Sequence, residues 1–243
     1  MTIRDNTREL RSFGRRKGRK ATPRQAALLR DVLPRIAIDL AAPFALSTSS
    51  MPSAVPCDSP AGSRPEGTNE AWLEIGFGGG EHLVWQAKQN PVVTLIGCEP
   101  FEDGVVKVLD AVERDHLANV RVHMGDARDV LRWLPDASIA RAFILFPDPW
   151  PKRKHQKRRL VNASTLALLA RILKPGAELR FGTDIGDYAR SALEAFHAEK
   201  RFCWQAERPA DWRIRPADWP ETRYEAKAER EGRVRYYFRF RRL

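Results

Sequence analysis

The chain predicts an α/β protein built on a doubly wound, mostly parallel sheet with helices on both faces. Three observations lead there. Short apolar runs alternate with amphipathic stretches from residue 71 onward. A glycine-rich turn joins the first run to the first of those stretches. Acidic residues recur where successive runs end.

The apolar runs fall at 71–75, 92–98, 120–124, 139–146 and 177–181. Near-continuous apolar runs of this length suit strands covered on both faces. Helical stretches lie between them at 80–89, 102–116, 127–133, 158–173 and 186–198, and Lys174-Pro175-Gly176 is a stop and turn after the fourth. A last run at 234–240 alternates, with Tyr236, Phe238 and Phe240 on one face and Arg235, Tyr237 and Arg239 on the other. Period two predicts a half-exposed strand, antiparallel at the sheet edge, that faces the core rather than stacking bases.

Upstream, Thr22-Pro23-Arg24-Gln25 reads as a helix start, with a capping Thr, Pro in the first turn and Gln three residues after the Thr. That helix runs to Pro34 or slightly beyond. Residues 43–69 are rich in Pro, Ser and Gly and read as a flexible connection. The expected organisation is therefore a basic disordered tail (1–20), a helix with its connection (21–69) and one α/β domain (71–243).

The 243 residues carry a formal charge of +11, which favours a polyanionic partner. Much of it is local: Arg4, Arg8, Arg11, Arg15, Arg16, Lys17, Arg19, Lys20 and Arg24 face only Asp5 and Glu9 in the first 24 residues. The tail is either a nucleic-acid arm or a solubilising extension. No apolar stretch reaches the ~18 residues of a membrane span, and there is no secretory signal. Cys57, Cys98 and Cys203 are far apart and form no CxxC pair, so neither a zinc site nor a disulfide framework is expected. A reducing cytoplasm fits best.

Leu73-Glu74-Ile75-Gly76-Phe77-Gly78-Gly79-Gly80-Glu81 closes the first strand and opens the first helix. A dinucleotide fingerprint begun at Gly76 needs glycine at 81, where Glu81 stands, and a carboxylate there repels a pyrophosphate. S-adenosylmethionine has no phosphate, and its amino group and sulfonium tolerate acids. Glu99 follows the second strand, 23 residues after Gly76, where a carboxylate can accept both ribose hydroxyls. Asp126 in Met124-Gly125-Asp126-Ala127 follows the third and is placed to meet an adenine edge. The plainer alternative is a strand-to-helix turn with the acids as helix caps.

Pro147-Asp148-Pro149-Trp150-Pro151 ends the fourth strand. Three prolines stiffen the backbone and hold Asp148 between two of them. Lys152 through Arg159 then adds six cations, a run that points to nucleic acid.

This segment, FPDPWPKRKHQKRR, resembles the signature of bacterial tRNA (guanine-N7-)-methyltransferases. LEIGFGGG, GCEP at 97–100, GDA at 125–127, GTD at 182–184 and TRYE at 222–225 extend the resemblance over about residues 71–243. It implies the class I methyltransferase fold: Rossmann-like, doubly wound, with a mostly parallel seven-stranded sheet and an antiparallel C-terminal edge strand. It implies methyl transfer from S-adenosyl-L-methionine to N7 of guanine 46 in the tRNA variable loop. It implies cofactor contacts from Glu74, Gly76, Gly78, Glu99, Asp126 and Ala127, with Asp148 as the catalytic or cofactor-facing acid. Lys152, Asp184, Thr222, Arg223, Tyr224 and Glu225 would contact the substrate, and Lys154, His155, Lys157, Arg158 and Arg159 the RNA. No metal is implied. Two departures stand out: Lys154 where many members have Arg before the His, and Pro100 where many have His or Val.

Guanine N7 has a lone pair and no hydrogen, so its methylation needs alignment and charge stabilisation rather than a base. Asp184 as a helix cap and Thr222 as a turn cap are the structural alternatives. Trp212 and Trp219 either pack or flank the guanine. Two other activities fit less well. An exocyclic-amino methyltransferase of DNA or RNA uses an acid-Pro-Pro-aromatic loop, of which Asp148-Pro149-Trp150 lacks the second Pro. A non-catalytic tRNA-binding subunit has no need of an intact GxGxG with three acids. Nothing in the sequence requires a partner subunit, and a monomer is compatible with it.

Overall fold

The structure, a computed structural model, describes residues 16, 18, 20–45 and 70–243. Most of the basic tail and residues 46–69 of the expected connection lie outside the described residues.

Seven strands form one sheet: β1 (Ala71–Ile75), β2 (Thr94–Cys98), β3 (Val120–His123), β4 (Ile139–Leu145), β5 (Leu173–Thr183), β6 (Phe202–Trp204) and β7 (Tyr236–Arg242). Their order is β3-β2-β1-β4-β5-β7-β6. The first five pair in parallel, and β7 runs antiparallel between β5 and β6. The chain winds outward from β1 to β3, then returns to lay β4 against β1, with Ile75 opposite both Cys98 and Ile144. That reversal opens a crevice at the carboxyl ends of β1, β2 and β4, where doubly wound sheets bind ligands.

The helices between the strands are α3 (Glu81–Gln89), α4 (Glu102–Arg114), α5 (Ala127–Trp133), α6 (Ala163–Ile172) and α7 (Gly186–Ala198), each close to its expected place. Ahead of them lie α1 (Pro23–Asp31) and α2 (Leu33–Ile36). Thr22 caps α1 in a reciprocal box with Gln25, as its sequence predicts. Leu28, Val32 and Ile36 are buried in the apolar cluster that contains Val105, Leu109 and Val122. Each such side chain stabilises by about 1.5–3 kcal/mol. Arg24 also meets Asp110 and Glu113 of α4, but exposed ion pairs contribute little, so burial holds the helix in place. Beyond α2, Ala37 forms an isolated parallel bridge to Val122 on the outer side of β3.

Three elements depart from expectation. The C-terminal strand is antiparallel, but an unforeseen three-residue strand, β6, pairs on its far side and takes the outermost place. The alternating run is also not half-exposed: Tyr237, Phe238 and Phe240 are all buried, because an apolar cluster covers each face of the strand, Phe238 and Phe240 in one and Tyr237 in the other. The helix expected over 158–173 starts late: a 3₁₀ turn at Arg153–Arg158 precedes it, and α6 begins at Ala163, where Asn162 Oδ1 accepts the Thr165 N–H at 3.1 Å. Finally, α8 (Ala210–Arg213) and α9 (Arg223–Arg230) fall where no helix is expected. Each is too short and too polar to give a clear apolar period.

Candidate active site

A cavity of about 440 Å³ fills the crevice, within the ~300–1,000 Å³ range of small-molecule sites. Its walls come from the ends of four elements: Gly76 and Gly78 after β1, Cys98 and Glu99 at β2, Gly125 through Arg128 after β3, and Phe146 through Asp148 with Trp150 after β4. Ile75, Pro100, Phe101, Arg158, Leu160 and Tyr224 complete it.

The glycine loop needs its glycines. Gly76, Gly78 and Gly80 have φ of 75°, 55° and 79°, a left-handed backbone that other residues adopt at a cost. A side-chain carbon at Gly76 would stand in open space, so the loop leaves room for a ligand at its first turn. Glu99 binds this loop to the next strand end. Its carboxylate accepts the Gly78 N–H at 2.8 Å on one oxygen and the Phe101 N–H at 2.9 Å on the other. Burial pushes its pKa up, an effect opposed by those two hydrogen bonds and assisted by the negative charge of Asp148. Each oxygen still has a lone pair for a hydroxyl.

Asp126 lies in the same wall and is also tied into the fold. It caps α5 by accepting the Arg128 N–H at 3.0 Å, and it pairs with the Arg128 guanidinium at 2.8 and 2.9 Å. Sequence reading missed Arg128, although an acid followed two residues later by Arg at a helix start was visible.

Glu74 is placed differently. It does not line the cavity: it is buried and meets His82 Nδ1 at 2.8 Å on the opposite face of β1. His82 in turn meets Gln86, whose amide donates to the Asp218 carbonyl at 3.1 Å. Strand alternation explains this, since Ile75 faces the cavity and its neighbour must face away.

The loop after β4 is the least ordinary backbone in the site. Phe146 and Trp150 have φ of 51° and 44°, bracketing Pro147-Asp148-Pro149. Non-glycine residues in this region each hold about 1–3 kcal/mol of strain and persist only where their surroundings fix them. The Phe146 N–H donates to the Gly182 carbonyl at 2.7 Å, prolonging the β4–β5 pairing past the bend. Asp148 is open to the cavity, yet the wall removes enough water to raise its carboxyl pKa.

The basic run divides on its short helix. Lys152, Arg153, Lys154 and Lys157 are exposed and lie in sequence between Trp150 and Arg158 of the cavity wall. Arg158 lines the cavity instead, its guanidinium 5.0 Å from the Trp150 ring centre. His155 stands edge-on to that ring at 6.0 Å. Desolvation, then the cations Arg158, Lys154, Lys152 and Lys157, hold its imidazole below the usual range. Arg159, expected on the RNA face, is buried. It bonds the Pro149 carbonyl, Asp187 and Ser191, because Gln156 and Arg159, one 3₁₀ turn apart, share the inward side.

The TRYE segment also divides. Thr222 and Glu225 form a buried capping box at the start of α9, and Glu225 further accepts the Tyr237 hydroxyl at 2.8 Å. Tyr224, 43% exposed, lies over Gly78 and lines the cavity, while the Arg223 guanidinium approaches Glu81 at 3.7 Å across the glycine loop. Asp184 is not a helix cap, since the cap of α7 is Ile185. Its carboxylate is 2.7 Å from Arg233 Nε. Trp219 is fully buried, edge-on to Tyr237, and so packs rather than flanks a ligand. Trp212 stacks on Tyr236 at 6.0 Å.

Residues 68–238 match a family described as "Putative methyltransferase". A tRNA (guanine-N(7)-)-methyltransferase of Ruegeria pomeroyi is 49% identical over 231 residues, spanning 95% of this chain and 94% of that protein. One from Caulobacter sp. strain K31 is 51% identical over 218 residues, with coverage of 90% and 89%. Among solved structures, the 16S rRNA methyltransferase KamB superposes with a TM-score of 0.55 at 17% identity, over 72% of this chain and 89% of that one, a likeness of fold.

Proposed function

The chain belongs to the family of tRNA (guanine-N7-)-methyltransferases, and we propose that it transfers a methyl group from S-adenosyl-L-methionine to N7 of guanine 46 in the variable loop of tRNA. One observation carries this reading. A carboxylate, Asp148, stands on a proline-stiffened loop in the wall of the crevice that the glycine loop and Glu99 define, and exposed cations follow it directly.

The residues present suit the donor. Gly76 leaves space for a ligand against the backbone, Gly78 lies against Tyr224 and gives its N–H to Glu99, Glu99 offers lone pairs to a pair of hydroxyls, and Asp126 with Ala127 forms the far wall. The donor, when bound, supplies an electrophilic methyl group on a sulfonium. Asp148 then has two tasks that its placement serves: it orients the incoming guanine, and it stabilises the positive charge that grows on the base. No group has to remove a proton, because N7 carries none. Tyr224 and Trp150 flank the cavity and limit how the base can enter. Lys152, Arg153, Lys154 and Lys157 contact phosphates, which orients tRNA without reading sequence. Thr222 and Glu225 act by fixing α9 under Tyr224. Asp184 reaches a substrate only if Arg233 yields it. A cytoplasmic enzyme is in keeping with a tRNA substrate.

The test is methyl transfer to unmodified tRNA, with the modified nucleoside mapped. N7-methylguanosine at position 46, lost in a folded Asp148→Ala protein, is the expected outcome. Full activity of that variant, or methyl on an exocyclic amine, would sink the assignment.

A further inference from the structure

Arg159 is the one buried residue of the run 152–159. A buried guanidinium persists only if its charge and its donors are met, and here they are. Nε donates to the Pro149 carbonyl at 2.9 Å. One terminal nitrogen donates to Ser191 Oγ at 2.8 Å and to the Asp187 carbonyl at 3.4 Å. The other meets the Asp187 carboxylate. The guanidinium also lies 4.8 Å from the ring centre of Tyr188. Gln156 Nε2 donates to the same Asp187 oxygen at 2.9 Å, so the 3₁₀ turn and the first turns of α7 are locked together.

The position of the Pro149 bond gives this clamp its meaning. Pro149 C=O belongs to the peptide that precedes Trp150, whose φ of 44° lies in the left-handed region. Fixing that peptide plane fixes the strained torsion beside it. At the other end of the loop, the Phe146 N–H is held by the Gly182 carbonyl at 2.7 Å. Asp148 therefore hangs between two anchored, strained residues, and Arg159 is the outer anchor.

We propose that Arg159 is a positioning residue for methyl transfer. It sets the Pro149–Trp150 peptide, and through it the direction of the Asp148 carboxylate, and it makes no contact with RNA. The proposal rests on the reading of Asp148 as the site's acid. The opposing view is that Arg159 is one more phosphate contact of the basic run.

The experiment compares Arg159→Lys, Asp187→Asn and Lys157→Ala in the full chain. It measures kcat and KM for unmodified tRNA, tRNA affinity against salt, the pH–rate profile and the melting temperature. Lysine keeps the charge but not the fork of donors. A displaced reacting group loses up to about 100-fold in rate. Arg159→Lys should accordingly lower kcat by about 10- to 100-fold, with KM and the salt slope unchanged and the acid limb of the profile moved. Asp187→Asn should lose less, and the double variant should lose less than the product of the two, since they share one clamp. Lys157→Ala should instead flatten the log–log salt slope by about 0.7–0.9. If Arg159→Lys does not fold, Ser191→Ala removes a single partner and should lower kcat by a smaller factor with the salt slope intact. Wild-type kcat with a flattened salt slope would make Arg159 an RNA contact. Wild-type kcat with only a lower melting temperature would make it a strut for the fold alone. An active Asp148→Asn would remove the underlying reading, whereas an inactive Asp148→Asn beside an unaffected Arg159→Lys defeats only this proposal.

Discussion

Replacing Glu99 with Gln separates two roles that one side chain combines. The carboxylate accepts a backbone N–H on each oxygen, from Gly78 at 2.8 Å and from Phe101 at 2.9 Å, and offers its remaining lone pairs to the cavity. Gln keeps the size but presents one oxygen and one NH₂. The oxygen satisfies one backbone N–H, and the NH₂ faces the other, donor against donor. An unmet buried N–H costs about 1–3 kcal/mol. That penalty is present with and without ligand, so it enters stability and not cofactor affinity. For a chain of this size it lowers the melting temperature by a few degrees per kcal/mol, roughly 2–4 °C each. The cofactor term is separate. Hydrogen bonds to a charged acceptor contribute about 1.5–3 kcal/mol and neutral ones about 0.5–1.5, so two ribose hydroxyls lose about 2–3 kcal/mol together. That is about 30- to 150-fold in Kd. Calorimetry with S-adenosylmethionine measures it directly, and tRNA affinity should change far less. A lower melting temperature with an unchanged Kd would refute the reasoning: Glu99 would then brace the glycine loop and hold no ribose.

Three other outcomes follow from the geometry. Converting the exposed Arg153, Lys154 and Lys157 together to Ala should flatten the salt dependence of tRNA binding by about 2 to 3 in log–log slope, at roughly 0.7–0.9 per phosphate contact, which filter binding at several salt concentrations reads out. Thr222→Ala removes the capping hydroxyl of α9 and should destabilise the fold by about 0.5–2 kcal/mol in denaturant titration. If Thr222 holds substrate instead, stability is kept and KM for tRNA rises. Desolvation raises the Asp148 carboxyl pKa, and the ionised form stabilises the cationic product. Single-turnover rates should therefore fall with decreasing pH before the ordinary carboxylate value of ~3.9 is approached, and a rate flat down to that value would contradict the desolvation.

Much of this protein is legible without coordinates. Period and punctuation locate the first five strands and the helices between them, because each apolar run is short, continuous and bounded by turn residues. The capping box at Thr22 is purely local, and α1 starts where it says. Gly76, Gly78, Glu99, Asp126 and Asp148 are readable as one site because doubly wound sheets bring successive strand ends together, and all five line one cavity. What the tertiary structure alone decides is which way each side chain faces. Glu74 shares a motif with Gly76, yet strand alternation sends it to His82. Thr222 and Glu225 read as substrate contacts but serve a helix cap, while Tyr224 between them meets the cavity. Arg159 is indistinguishable from its neighbours as a letter in a basic run. It is buried because the 3₁₀ turn rotates it inward and because Asp187 and Ser191, distant in sequence, wait on α7 to satisfy it. The three residues of β6 pair against β7 without any periodic signal of their own. Composition and spacing are local quantities and fix the elements. Facing, burial and partnership depend on what arrives from elsewhere in the chain, and only packing supplies that.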